Sequence, residues 1–311
     1  MTQSKTAILI IGPHRSGTSA IAGAVARLTK ANFGELLMQA QYDNQQGFYE
    51  NEKVVAINDA ILAELFRAWD DPRPVDNGLL KSTRLDYLRK RAQKVIQDEF
   101  DKSEVIAIKD PRLCLTFPFW DAILKAEGYN PRVILTYRKV EEIVDSLTGR
   151  ELLSHEYAYL LTAMYALHAE RHTRDSKRIC IDYNRAISEN DYLNLRLGSF
   201  LSGIKLTLNA NSGLDASYKN SNEHASLELF GDSRYESISL ALKEINKASS
   251  DEPTQPDITL LENASNSYND IISESGSSIL RSRVDYGKVI FKYKRQKDLS
   301  LIHISEPTRP Y

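Results

Sequence analysis

The chain has 311 residues, 42% of them hydrophobic and 26% charged, with a net charge of -2; this is an ordinary globular composition, long enough for one large domain or two smaller ones. The charge excludes a global basic field that would hold nucleic acid or an anionic membrane, so any anion site has to be built locally. The two cysteines, Cys114 and Cys180, lie far apart in apolar surroundings, which argues against a disulfide framework and for a reducing, cytoplasmic setting. Ala7 to Ile11 is too short for a signal-peptide core, and no apolar run approaches a membrane span.

Thr6 to Ile11 is a nearly continuous apolar run ending at Gly12, as expected of a strand covered on both faces. After a Gly/Ser-rich stretch, Ala20 to Leu28 places Ile21, Val25 and Leu28 on one helical face. Glu50 to Trp69 is predicted helical, and Asp71-Pro72-Arg73-Pro74 breaks it. Thr83 to Phe100 is a charged amphipathic helix opened by a Thr83/Asp86 capping pattern. A second strand, Val105 to Ile108, ends at Lys109-Asp110-Pro111-Arg112, and a helix over Pro118 to Glu127 stops at Gly128. Arg132 to Tyr137 is a third strand, followed by helices at Glu141 to Leu147 and His155 to Arg174. Arg178 to Tyr183 is a fourth, followed by a helix over Asp191 to Leu201.

This alternation predicts an α/β fold of three layers, a central parallel sheet with helices on both faces, over residues 1–205. Ligands in such sheets bind at the carboxyl ends of the strands, where Gly12, Lys109 and Arg138 fall. Residues 206–297 are expected to form a C-terminal extension, helical at Tyr235 to Lys247 and from Ile258 to Leu280 and partly irregular. Leu299 to Tyr311 resembles translated sequencing-adapter read-through, so 298–311 is expected to be a non-native tail.

Gly12-Pro13-His14-Arg15-Ser16-Gly17-Thr18-Ser19 carries the chemistry. A turn of this kind between strand and helix aims backbone N–H groups and the helix dipole at one anion. Ser16, Thr18 and Ser19 add hydroxyls, and Arg15 adds a planar cation. The spacing is that of a nucleotide P-loop, with Thr18 where the lysine belongs. Arg138, at a strand end, and Ser146, two helical turns on, form a possible second phosphate grip. The six histidines are scattered, and no metal-ligand cluster is expected.

The Arg15-Ser16-Gly17-Thr18-Ser19 form of the loop, with Arg138 and Ser146, resembles the sulfotransferases that use 3'-phosphoadenosine 5'-phosphosulfate (PAPS). Gly47-Phe48-Tyr49-Glu50-Asn51 and Lys109-Asp110-Pro111-Arg112-Leu113, followed by Phe117-Pro118-Phe119-Trp120, resemble segments of bacterial members. The resemblance covers about 1–205 and implies that Gly12 to Ser19 hold the 5'-phosphosulfate while Arg138 and Ser146 hold the 3'-phosphate. It also implies transfer of a sulfuryl group to an acceptor hydroxyl or amine, in bacterial relatives that of a carbohydrate or surface glycan. The loop lysine and the Gly-rich adenosine segment of the animal cytosolic enzymes are both missing. Arg15 would stabilise the leaving phosphate, Glu50 is the expected base with His14 as its rival, and Lys109 is a candidate contact to the transferred group. Asp110 and Arg112 are expected to brace the strand end. The basic cluster Arg84, Arg89, Lys90, Arg91 and Lys94 is expected to be solvated surface, and Tyr157, Tyr159 and Tyr165 core or helix surface. Two other readings remain: a P-loop kinase using ATP, and a nucleotide- or glycan-binding module without activity.

Overall fold

The computed structural model describes residues 5–39, 48–100, 103–151, 153–189, 191–204, 232–250, 255–275 and 278. Four strands, β1 (Lys5–Ile11), β2 (Val105–Lys109), β3 (Tyr129–Tyr137) and β4 (Arg178–Asp182), form an all-parallel sheet of order β2-β1-β3-β4. The chain leaves β1 toward β2 and returns across it to β3, so the winding direction reverses between β1 and β3. In open parallel sheets that reversal opens a crevice at the strand ends.

The sheet divides two cores. Ala7, Leu9 and Ile11 of β1 face one core, with Val133 and Leu135 of β3. Ile8 and Ile10 face the other, with Ile134 and Ile181. The period of two along a fully buried strand thus produces the three layers. The first core takes helices α2 (Glu52–Glu64), α4 (Asp86–Phe100), α5 (Leu113–Ala126), α6 (Val140–Glu151) and α7 (His155–Thr173). The second takes α1 (Thr18–Leu28), α8 (Tyr183–Ser188) and α9 (Tyr192–Phe200). Short α3 (Asn77–Lys81) lies before a 3-10 turn at Thr83–Leu85. Helices α10 (Ser233–Lys247) and α11 (258–275) bury Tyr235, Ile238, Ile245, Leu261 and Tyr268 in the first core. The described part of the C-terminal extension is therefore continuous with the sheet's own core. Both cysteines are buried and unpaired.

Several boundaries move for local reasons. The helix expected from Glu50 starts at Glu52, because Asn51 caps it: its side-chain oxygen accepts from Lys53 N at 3.0 Å and Val54 N at 3.2 Å. It ends before Trp69, where Phe66 turns into the left-handed region at φ 56. Helix α5 begins five residues before Pro118, which sits inside it. Proline cannot donate to the carbonyl four residues back, and that carbonyl, Cys114 O, is bonded at 2.8 Å by His172 Nδ1. Strand β3 starts at Tyr129 and includes Pro131; β4 pairs only from Val133 onward, so Pro131 sits where β3 has no neighbour on that side. Tyr183 opens α8 instead of closing β4, with Asp182 accepting from Asn184 N at 2.8 Å and Arg185 N at 3.1 Å.

Candidate functional site

A cavity of about 340 Å³ opens at the carboxyl ends of β1, β2 and β3, within the size range of ligand pockets. His14, Arg15, Gly17, Thr18 and Ser19 line it from the loop, Lys109 and Arg112 from the end of β2, and Arg138 from the end of β3. Glu50, Trp69, Arg150 and Tyr183 complete its polar and aromatic walls.

The loop is held open by its backbone. Arg15 has φ 68 and Gly17 φ 94, so two left-handed residues bracket Ser16 before α1 begins at Thr18. A Cβ on Gly17 would lie 2.1 Å from the Tyr183 ring, and one on Gly12 would lie 2.1 Å from Thr136 Oγ1. Gly12 thus lets the loop pass close to β3 and does not line the cavity. Ser16 also departs from expectation. Its fully buried hydroxyl shares a hydrogen bond with Thr136 Oγ1 at 2.8 Å, fastening the loop to β3 instead of facing a ligand. Only its backbone amide belongs to the turn, donating to Pro13 O at 3.1 Å.

Arg15 and Arg138 meet, but in a different pairing from the one expected. Arg15 Nε donates to Ser146 Oγ at 2.7 Å. Arg138 Nη1 donates to Arg15 O at 3.3 Å, and its Nε donates to Glu142 at 2.7 Å. Glu142 in turn accepts from Asn184 Nδ2 at 2.7 Å. Ser146 therefore joins the loop arginine and not Arg138, and of the three only the two arginines line the cavity. The Arg138 guanidinium lies 5.2 Å from the Tyr183 ring centroid, a cation–π contact. Tyr183 was not singled out in the sequence, where it reads as the last residue of a strand.

Lys109 Nζ donates to Ser19 Oγ at 3.1 Å and is ion-paired with Glu50; the two side chains are 2% and 9% exposed. The end of β2 thus places an ammonium at the α1 N-terminus, beside the position where Thr18 replaces a lysine. Burial raises the Glu50 pKa, and Lys109 partly offsets that rise. Asp110 is fully buried and accepts from Asn58 Nδ2 at 2.8 Å, Arg112 N at 2.9 Å and Arg112 Nη1 at 3.1 Å. Asn58 Oδ1 in turn accepts from Thr116 at 2.8 Å and Trp120 at 2.7 Å. Asp110 and Arg112 do pair, and a polar network under the sheet edge holds them; Asn58 carried no motif that could have announced it.

His14 lies against Trp69, ring centroids 4.6 Å apart, and Tyr165, 5.1 Å apart. Its Nε2 is buried with no hydrogen-bond partner among the described residues. Burial, then the charges of Arg112, Lys109, Arg150 and Arg15, push its pKa well below 6.5, so the ring is neutral. Phe48 and Glu50 are described; Gly47 lies outside the described residues. Of the basic cluster on α4 and the turn before it, Arg84 pairs with Glu64 at 2.9 Å, Arg89 with Asp86 at 2.5 Å and Lys94 with Asp98 at 3.1 Å.

Fold and cavity together define a mixed α/β protein with a cation-lined cavity at a strand–loop–helix turn, beside the switch point of a parallel sheet. No protein-family model matches the chain, and no curated protein matches it. Among the described residues no helix is long and apolar enough to cross a membrane.

Proposed function

We propose that the chain is a sulfotransferase that moves a sulfuryl group from PAPS to an acceptor hydroxyl, that of a carbohydrate. The observation that carries this reading is the convergence of Arg15, Lys109 and Arg138, from three strand ends, on one cavity at a helix N-terminus. A donor with separate 5' and 3' anionic groups matches two cationic positions, Arg15 with Lys109 and Arg138 beside Tyr183. The left-handed turn at Gly17 lets Tyr183 pack on the loop beside Arg138, and the α1 N-terminus behind it favours an anion. In this reading Thr18, Ser19 and Arg15 hold the 5'-phosphosulfate and Arg138 the 3'-phosphate. Ser146 would steady Arg15, to which it is bonded.

The acceptor oxygen forms a bond to sulfur as the bond between sulfur and the 5'-phosphate oxygen breaks. The acceptor proton passes to Glu50, and 3',5'-bisphosphoadenosine leaves. Glu50 suits the role of base because its carboxyl is desolvated, which strengthens its hold on a proton. Lys109 is positioned to meet charge on the transferred group, and Arg15 to meet charge on the departing phosphate.

One observation favours a second donor: Lys109 Nζ stands 3.1 Å from Ser19 Oγ, supplying the cation that the loop lacks for ATP. Thermal unfolding with each ligand separates the two. A ligand at about 100 times its dissociation constant adds about 2.7 kcal/mol, so protection by 3',5'-bisphosphoadenosine and not by ATP-Mg is expected; the opposite result replaces the sulfotransferase with a kinase. Arg138→Ala is expected to remove the preference for the 3'-phosphorylated nucleotide. Glu50→Gln is expected to keep nucleotide binding and lose turnover, whereas full turnover would remove Glu50 as the base.

A further inference from the structure

Trp69 sits between the α2 and α3 helices, in a segment without regular structure, and its side chain lines the cavity. One edge packs on the first core and the ring lies on His14. The cavity therefore has two aromatic walls on different sides of the loop. Tyr183 stands over Gly17 and Arg138, the side read above as the nucleotide side. Trp69 stands over His14, with Phe48 and Met38 in the same lining.

The segment carrying Trp69 is fixed by a row of tyrosine hydroxyls. Tyr165 of α7 donates to Trp69 O at 2.6 Å, and Tyr157 of α7 donates to Asp70 O at 2.7 Å. Tyr268, from the C-terminal helix α11, donates to Pro72 O. His168 Nε2 accepts from Val75 N at 3.3 Å. Three carbonyls within four residues thus each take a buried phenol, from two elements far apart in sequence. The sequence pattern alone assigns Tyr157 and Tyr165 to core or helix surface; the structure gives their hydroxyls a common target with that of Tyr268. An irregular segment tied down so closely holds its half-buried Trp69 side chain in one place, as a binding surface requires.

We infer that Trp69 is the acceptor platform of this cavity, held there by the Tyr157–Tyr165–Tyr268 clamp; the inference rests on the donor–acceptor reading given above. A flat indole bordered by the carboxylate of Glu50, the imidazole of His14 and the guanidinium of Arg150 suits a pyranose ring. Such a ring lays its C–H face on the aromatic and offers hydroxyls to the polar groups around it. The C-terminal helix is then a positioning element of the acceptor site, acting through Tyr268.

Calorimetry on the full chain tests this. The probes are 3',5'-bisphosphoadenosine, then cellobiose, chitobiose, a glucuronosyl-N-acetylglucosamine disaccharide and p-cresol, each of the last four titrated into nucleotide-saturated protein. At least one disaccharide is expected to bind the wild type, and Trp69→Ala to weaken it about tenfold, the scale of one aromatic contact. Tyr268→Phe is expected to weaken the disaccharide severalfold with nucleotide affinity unchanged. Tyr159→Phe removes a buried hydroxyl that donates to Tyr235 O, at 3.3 Å, and not to the clamped segment; it should leave both affinities intact. Equal disaccharide affinity in the wild type and Trp69→Ala would overturn the platform, as would p-cresol binding in place of every disaccharide, or no disaccharide binding at all. If Tyr268→Phe and Tyr159→Phe behave alike, the clamp is only structural. Failure of 3',5'-bisphosphoadenosine to bind the wild type strikes the donor reading instead, and the disaccharides are then titrated without nucleotide to judge the platform separately.

Discussion

Lys109→Met removes the ammonium from a nearly buried ion pair and leaves the buried Glu50 carboxyl without its partner. Breaking such a pair typically costs about 3–5 kcal/mol, because the survivor is an uncompensated charge. Glu50 sets a ceiling on that cost, since it can take up a proton. From its ordinary value of 4.5, protonation costs about 1.4 kcal/mol per pH unit, hence about 3.4 kcal/mol at pH 7 and about 0.7 kcal/mol at pH 5. The sign follows from the direction of the shift. Burial already raises the folded-state pKa of Glu50 and Lys109 holds the rise down, so without Lys109 it rises further. A group with a raised folded pKa favours folding below its unfolded value and loses that contribution as pH climbs. The stability deficit of Lys109→Met should therefore grow from pH 5 to pH 7, by at most about 3 kcal/mol. Urea unfolding of wild type and variant at both pH values measures it. Adding Glu50→Gln should recover most of the deficit at pH 7. A deficit equal at both pH values, or a double variant as unstable as Lys109→Met, would refute the account of this pair.

Gly17→Ala should both destabilise the fold and open the site. A left-handed alanine costs about 1–2 kcal/mol, and its Cβ would displace the Tyr183 ring from 2.1 Å; melting temperature and 3',5'-bisphosphoadenosine affinity should fall together. Gly198→Ala in α9 meets nothing within 4 Å and should be neutral or stabilising by up to about 1 kcal/mol in the same melts. Burial depresses His168 to about 3 and His172 to about 4, so both are neutral in the fold and take up protons on unfolding in acid. The stability they contribute is present above 6.5 and drains away as pH falls toward these values, by about 2 kcal/mol per histidine between pH 6.5 and 5. His168→Gln should make the pH dependence of urea unfolding shallower over that range, and an unchanged slope would remove His168 from the account.

The sheet was legible in the sequence because a strand buried on both faces leaves an unbroken apolar run, and Thr6 to Ile11 is one. The loop was legible because glycine spacing between strand and helix has a backbone cause, and Gly17 at φ 94 bears it out. Boundaries were less legible. The Asn51 cap is local and only shifts a helix start by two residues, whereas the accommodation of Pro118 depends on a partner only the fold brings, His172 from 54 positions beyond. Side-chain partners were least legible. The spacing that suggested Arg138 with Ser146 is silent on whether Arg15 reaches Ser146 first, as it does at 2.7 Å. Trp69 reads as the end of a helix and Tyr183 as the end of a strand, and neither pattern marks a cavity wall, since an aromatic that lines a cavity and one that fills a core look alike in a single sequence.

The cations of the cavity share a property that bears on how it binds. Lys109 is held by Glu50, Arg138 by Glu142, and Arg112 by Asp110 and Asp59, the last at 2.6 Å. Each positive group therefore arrives already compensated, which keeps the strand ends stable without a ligand. An incoming anion must share these cations with the carboxylates that hold them, so net affinity depends on the difference between two sets of ion pairs. Arg15 is anchored as well. Its Nε meets the neutral hydroxyl of Ser146 and its carbonyl meets Arg138. It is also the side chain that rides on a left-handed backbone, at a cost of about 1–2 kcal/mol. That strain sits on the loop that borders the cavity, where an anion held by the backbone amides would offset it.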